Sequence, residues 1–159
     1  MGAVALAARI VVAAAFVFAA VQKLRALPET REQLAGFGVP GPLVSASVVV
    51  LPVAELVTAA ALVALPGSSV PPFVAVGLLA VFTGAVIGNL SRGRRPPCPC
   101  FGAGTSDVPI SADTVVRNGW LLALAVVATG SIDGAEPLPV VVMTVVFGAV
   151  TLWLVATLH

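Results

Sequence analysis

Long stretches without a charged residue constrain this chain more than any other feature of its sequence. They cover residues 10–22, 33–54, 56–91, 118–132 and 137–159. A membrane-spanning helix needs about 20 mostly apolar residues, and these runs are continuous rather than alternating as barrel strands would be. Only 9% of the residues are charged, whereas a soluble domain carries about 25%. The sequence therefore predicts a protein of the lipid bilayer.

The predicted fold is all-α, a polytopic bundle of transmembrane helices in a single membrane domain over residues 1–159. Four spans form the core, and a fifth lies at the C-terminus. The polar connector at residues 28–33 is predicted to be helical near the membrane surface, and Ser111 is predicted to cap the fourth span. The five spans are predicted at about residues 4–26, 43–65, 72–90, 114–130 and 138–158.

The basic residues predict how the bundle is oriented. Only Arg9 lies at one end, while the other seven of the eight bases flank the first and third connectors. These seven are Lys23, Arg25, Arg31, Arg92, Arg94, Arg95 and Arg117. The positive-inside rule makes their face cytoplasmic, in the plasma membrane. The side chains of Lys23 and Arg25 are expected to extend to the lipid headgroups. Seven acids nearly balance the bases, so charge gives no reason to expect a nucleic-acid partner.

The only two cysteines, Cys98 and Cys100, stand one residue apart in the third connector. Such a pair can close a disulfide, but the small ring strains the bridge, and strained bridges are the exchangeable ones. Nearby cations lower the pKa of a thiol from about 8.5, and the candidate cations are Arg94, Arg95 and Arg117. The pattern favours a redox pair at the cytoplasmic surface, in which one cysteine reacts with a partner's sulfur and the other resolves the mixed disulfide.

Glu55 is the only acid inside a predicted span, and it lies about 18 Å along the second one, near the middle of a hydrocarbon core about 30 Å thick. An acid at that depth faces a partner or a cavity. One interpretation is a structural clamp, either paired with a base or protonated and hydrogen-bonded. The other is an acid that carries a proton or contacts a ligand. A quinone held between the helices, near Glu55 and Arg117, is a candidate electron acceptor, although no motif in the sequence marks a quinone pocket.

Several short motifs occur in a recognisable order. They are Lys23-Leu24, Phe37-Gly38-Val39-Pro40, Leu51-Pro52-Val53-Ala54-Glu55, Asn89-Leu90-Ser91-Arg92-Gly93-Arg94, Cys98-Pro99-Cys100-Phe101-Gly102 and Val116-Arg117-Asn118. Over roughly residues 5–130 this order resembles the methylamine-utilisation protein MauE family, which is similar to the DoxX-like membrane proteins. The resemblance implies a protein needed for maturation of the disulfide-rich small subunit of methylamine dehydrogenase, alongside a thioredoxin-like partner. Pro99 stands where we expect glycine in this family, which stiffens the loop.

The candidate site thus consists of Cys98 and Cys100 as the redox pair, with Arg117, Asn118 and Glu55 in support. Three classes of function stay open. The first is a thiol–disulfide oxidoreductase that assists maturation of a partner protein, with the bilayer and a thioredoxin-like or other thiol protein as partners. The second is a Cu(I)- or Zn-handling protein, although two thiolates are too few for a closed zinc site, and we predict no metal. The third is a noncatalytic scaffold for a redox partner, in which the cysteines only lock the loop.

Overall fold

Five α-helices make up the part of the chain that the structure describes, residues 2–97 and 109–130 of a computed structural model. They are α1 (Ala3–Arg25), α2 (Leu27–Gly36), α3 (Gly41–Ala64), α4 (Val70–Ser91) and α5 (Ala112–Val127). Of these, α1, α3 and α4 are long and apolar enough to cross a membrane. The all-α class predicted from the sequence is confirmed.

The ends of α1, α3, α4 and α5 lie within three residues of the first four predicted spans. With 16 residues, α5 is the shortest of the four, at about 24 Å. The helix predicted in the polar connector is α2. Ser111 is the N-cap of α5 as predicted, and its N–H donates to Thr114 Oγ1 at 3.3 Å. The span predicted at residues 138–158 and both cysteines lie outside the described residues.

The central helix of the bundle is α1, which packs against both α3 and α5, while α4 packs mainly against α5. In the most apolar stretch of 18 residues, 56% of the residues of α1 are buried, compared with 33% for the same length of α3 and 28% for α4. Small side chains on α1, among them Ala8 and Ala15, are almost fully buried and let neighbouring helices approach closely. The other faces of α3 and α4 present large apolar side chains outward, as a lipid environment requires.

Two contacts fix α1 and α3 as antiparallel neighbours. Arg9, near the start of α1, donates to the carbonyl of Leu65 just beyond α3, and Lys23, near the end of α1, contacts Glu55 inside α3. The two α1 positions are about 21 Å apart along the helix axis and the two α3 positions about 15 Å. Side chains lean toward the N-terminus of their own helix. Because the two helices are antiparallel, the side chains of Lys23 and Glu55 lean toward each other along the helix axis. This lean lets the two side chains meet although the spacing along α1 is longer than the spacing along α3.

Arg9 lies at the opposite end of α1 from the other bases, and it joins the ends of two helices. It is only 4% exposed. Its guanidinium donates to the carbonyls of Leu65 at 3.1 Å, Ser68 at 2.8 Å and Ala128 at 3.2 Å. The last carbonyls of a helix lack partners within the helix and carry partial negative charge. Arg9 therefore stabilises the ends of α3 and α5 together.

We expect Arg9→Leu to lower the free energy of unfolding by about 2–4 kcal/mol, because hydrogen bonds from a charged group contribute about 1.5–3 kcal/mol each and water replaces part of them. Arg9→Lys should recover only part of the loss, since one ammonium cannot reach all three carbonyls with the spread of a guanidinium. Denaturant titration of the purified protein in micelles measures both changes. The exposed Arg25 at the other end of α1 provides the control. Equal stabilities of Arg9→Leu and Arg25→Leu would contradict this role.

Candidate functional site

A buried ion pair joins α1 to α3 in the interior of the bundle. Lys23 Nζ lies 2.6 Å from Glu55 Oε1, and the two side chains are 3% and 1% exposed. The ammonium also lies 5.7 Å from the centre of the Phe82 ring on α4, within the range of a cation–π contact. Glu55 is thus paired with a base, which is one of the two arrangements that the structural interpretation of the sequence offered. The expected headgroup position of Lys23 is wrong, because the register of α1 against α3 turns its ammonium inward.

Beside this pair, a small cavity of about 20 Å³, which is room for about one water molecule, lies between α1, α3, α4 and α5. Most of its lining is aliphatic or aromatic, and the two polar residues that the described part of the chain contributes are Glu55 and Asn118. The full lining consists of Val12, Ala15, Phe16, Ala19, Glu55, Leu79, Phe82, Asn118 and Leu121. The fold therefore brings an acid and an amide from different helices to one apolar space.

Among the described residues, each of the two polar side chains at the cavity has one atom without a hydrogen-bond partner. Lys23 donates to Oε1 of Glu55, but no donor among the described residues reaches Oε2. Likewise, no acceptor among them reaches Nδ2 of Asn118, a residue that is 2% exposed. Leaving a buried polar group unpaired costs about 1–3 kcal/mol. Within the described part of the chain, the cavity thus combines one acceptor and one donor that have no hydrogen-bond partner there.

Asn118, and not its neighbour Arg117, lines the cavity from α5 together with Leu121. Successive residues of an α-helix are rotated by about 100°, because a turn takes 3.6 residues. Arg117 is half-buried on another side of α5. Of the candidate residues named from the sequence, the structure brings Glu55 and Asn118 together and adds Lys23 to them. Lys23 was missed because a base three residues from the end of a predicted span is normally an interfacial residue.

The residues on either side of the cysteine-containing stretch pair with each other, and we call this pairing of Pro96 and Pro97 with Pro109 and Ile110 the stem. Pro97 and Pro109 form an antiparallel β-bridge, and the N–H of Ile110 donates to the carbonyl of Pro96 at 3.0 Å. Ile110 is fully buried. The stem also packs against the end of α2, since a β-carbon added to Gly36 would lie 3.3 Å from the Cβ of Pro96. Cys98 directly follows Pro97 in the chain and, with Cys100, lies outside the described residues.

Asn89, at the end of α4, fastens the turn between α2 and α3 to this same end of the bundle. Its side-chain Nδ2 donates to the carbonyls of Phe37 at 3.4 Å and Ala85 at 3.0 Å. Its main-chain carbonyl accepts from the N–H of Arg94 at 2.9 Å. Gly93 has a φ of +68°, a conformation that glycine adopts most readily. Two of the sequence motifs, around Phe37 and around Asn89, therefore meet beside the stem.

Exposed arginines are concentrated at this end, as the charge pattern of the sequence predicts. Lys23 is not one of them, because its ammonium is buried with Glu55. The basic face therefore carries one charge fewer than the sequence suggests, and its cytoplasmic orientation stays a prediction. The exposed arginines are Arg25, Arg31, Arg92, Arg94 and Arg95.

Comparison with known proteins identifies the family. Residues 1–131 match the family model described as "Methylamine utilisation protein MauE". The protein named "Methylamine utilization protein MauE" in Paracoccus denitrificans is 38% identical over 133 residues, which are 82% of this chain and 71% of that relative. No solved structure matches the chain. Because the family match covers most of its length, the chain belongs to the methylamine-utilisation protein MauE family.

Proposed function

We propose that this protein is a thiol–disulfide redox component of the plasma membrane that assists disulfide formation in a partner protein. Cys98 and Cys100 are its redox pair. The observation that carries the proposal is the stem of Pro97 and Pro109, because it fixes both ends of the stretch that holds the only two cysteines of the chain. The proposed setting is methylamine utilisation, in which the small subunit of methylamine dehydrogenase would be the client and a thioredoxin-like protein the partner.

The proposed reaction exchanges one disulfide for another. A thiolate of the partner attacks the disulfide between Cys98 and Cys100, and a mixed disulfide forms as the old S–S bond breaks. The partner's second thiolate then attacks the mixed disulfide. The partner gains one S–S bond, while the cysteine pair gains two electrons and two protons as two thiols. The pair then needs a two-electron acceptor to begin another cycle.

The charges around the stem support this chemistry. Arg92, Arg94 and Arg95 precede Cys98 closely in the sequence and are exposed. Cations near a thiol favour the thiolate, which is the reactive form. Thiolates are also the better leaving groups in exchange. The same arginines support a cytoplasmic position of the cysteines by the positive-inside rule.

The test of the proposal is the number and sidedness of reactive thiols. After reduction, the purified protein should bind two maleimides per chain, and after mild oxidation none, while it still migrates as a monomer. In cells, labelling by an impermeant maleimide should require opened membranes. The variant Cys98→Ser/Cys100→Ser is the control and should not be labelled. Thiols that stay labelled after oxidation, or that only join separate chains, would rule out the redox pair, whereas labelling of reduced intact cells would overturn the cytoplasmic assignment alone.

A further inference from the structure

Three exposed arginines, Arg92, Arg94 and Arg95, lie between the end of α4 and the stem, and we call them the arginine turn. The N–H groups of Arg92 and Arg94 both donate to the main-chain carbonyl of Asn89, at 3.1 Å and 2.9 Å. Arg95 directly precedes Pro96, whose carbonyl accepts a hydrogen bond within the stem. The backbone that carries the three charges is therefore held at both ends.

The positive charge of the arginine turn exceeds the negative charge available beside it. Within residues 2–97 and 109–130, the ion pair that forms is Lys23 with Glu55, and no acid pairs with the arginine turn. The connector between α4 and α5, residues 92–111, contains a single acid, Asp107. If Asp107 neutralised one of the three arginines, two positive charges would still face solvent. The turn therefore offers a basic surface to whatever approaches this end of the bundle.

The arginine turn also lies close to the proposed redox pair. Cys98 follows Arg95 by three residues, so their Cα atoms are at most about 11 Å apart, and the limit for Arg94 is about 14 Å. A specific protein–protein contact covers about 800 Å² on each partner, which corresponds to a disc about 16 Å in radius. A partner whose contact surface is centred on its bond to Cys98 therefore covers Arg94 and Arg95 as well.

We propose that the arginine turn is the docking surface for a thiol protein that carries acidic residues around its reactive cysteine. Opposite charges across an interface speed up encounter and exclude partners of the wrong charge. Steering of this kind changes association rates by about 10–10³-fold. The inference rests on the proposed function, because it describes which partner reaches Cys98 and Cys100. The arginines select that partner before any bond between sulfurs forms.

Three synthetic peptides test the charge preference. They carry the same two thiols, flanked by glutamate, glutamine or lysine. Each reduced peptide is mixed with the oxidised full-length protein in phosphatidylcholine nanodiscs, and the second-order rate of peptide oxidation is measured. We expect the glutamate peptide to react about tenfold faster than the glutamine peptide, and the lysine peptide to react most slowly. Reaction of each peptide with a neutral small-molecule disulfide corrects for differences in the reactivity of its own thiols.

Salt provides a second readout of the same preference. Raising the ionic strength from about 0.01 M to about 0.15 M shortens the Debye length from about 30 Å to about 8 Å. The advantage of the glutamate peptide should shrink accordingly, while the rate of the glutamine peptide should change little. A preference that did not respond to salt would contradict docking by charge.

Substitutions in the arginine turn locate the surface. Arg95→Gln should lower the ratio of the glutamate-peptide rate to the glutamine-peptide rate several-fold, and Arg94→Gln/Arg95→Gln should abolish the preference. The ratio isolates docking, because a change in the reactivity of the protein's own cysteines affects both rates alike. The matched control is Arg25→Gln, at an exposed position of the same end. The length of α2, about 15 Å, separates Arg25 from Gly36 beside the stem, so this variant should keep the wild-type ratio.

The outcomes separate this inference from the proposed function. Equal corrected rates for the three peptides at low salt would overturn the docking surface and leave the redox pair in place. Failure to oxidise any peptide would remove the redox pair and, with it, the partner that docks. Equal rates together with phosphatidylglycerol that co-purifies with the wild type, but not with Arg94→Gln/Arg95→Gln, would assign the arginines to lipid headgroups instead of a protein.

Discussion

Glu55→Leu should unfold a large part of the protein, because it lowers the free energy of unfolding by about 3–5 kcal/mol. Lys23 would then be an ammonium that is 3% exposed and has lost its carboxylate 2.6 Å away. The cation–π contact with Phe82 cannot compensate, since such contacts contribute about 2 kcal/mol when desolvated. Lys23→Met should cost a similar amount, as it leaves the carboxylate of Glu55 buried without its partner. Denaturant titration in micelles and the yield of monodisperse protein measure both losses.

The double variant Lys23→Met/Glu55→Leu should regain most of this stability. Replacing a whole buried ion pair by apolar side chains of similar size is often neutral or even stabilising. The double-mutant cycle should therefore give a coupling energy larger than about 2 kcal/mol. The control is Glu32→Leu at an exposed position of α2, which shows how much stability changes when an acid outside the ion pair is replaced by leucine. Losses that simply add in the double variant would contradict the coupling between the two residues.

A stable double variant would also show why the pair is informative about function. If apolar residues support the fold as well as Lys23 and Glu55 do, stability does not explain an ion pair in the interior of a membrane protein. Buried ionisable groups in membranes commonly mark ligand or proton pathways.

Much of the fold could be predicted because the signals that determine it are local in the sequence. The boundaries of α1, α3 and α4 follow from where charges and turn residues interrupt apolar runs, and the start of α5 follows from the capping residue Ser111. The helix α2 follows from a polar segment too short to span a membrane. Each of these features can be recognised without knowledge of which helices are neighbours.

The cavity could not be predicted in the same way, because it depends on how the helices pack. The pairing of Lys23 with Glu55 needs the antiparallel register of α1 and α3, which apolar runs do not specify. The choice of Asn118 over Arg117 needs the rotation of α5 about its axis, and one residue changes that rotation by about 100°. Glu55 itself was detectable, since an acid deep in a span is rare enough to be conspicuous.

Cys98→Ser and Cys100→Ser are each expected to stop turnover completely, because one thiol alone cannot close the disulfide that oxidises the partner. The measurement is a single turnover, in which oxidised protein reacts with a reduced dithiol probe such as thioredoxin and the new protein thiols are counted. This assay requires no quinone, so it tests the cysteines apart from the cavity. Asn118→Leu should therefore react in it like the wild type.

The two single variants should also differ from the double variant in what they trap. In reduced Cys100→Ser, the Cys98 thiolate can attack the disulfide of an oxidised partner, which releases one partner thiolate and leaves a mixed disulfide that Cys100 can no longer resolve. A covalent complex should therefore accumulate with the oxidised partner and disappear on reduction. Cys98→Ser/Cys100→Ser should trap nothing. Full rescue of a deletion strain by the double variant would instead support a scaffold whose cysteines only lock the loop, and a stoichiometric metal lost in that variant would support metal handling. The trapped complex decides among the three, because only thiol exchange links the partner covalently to this chain.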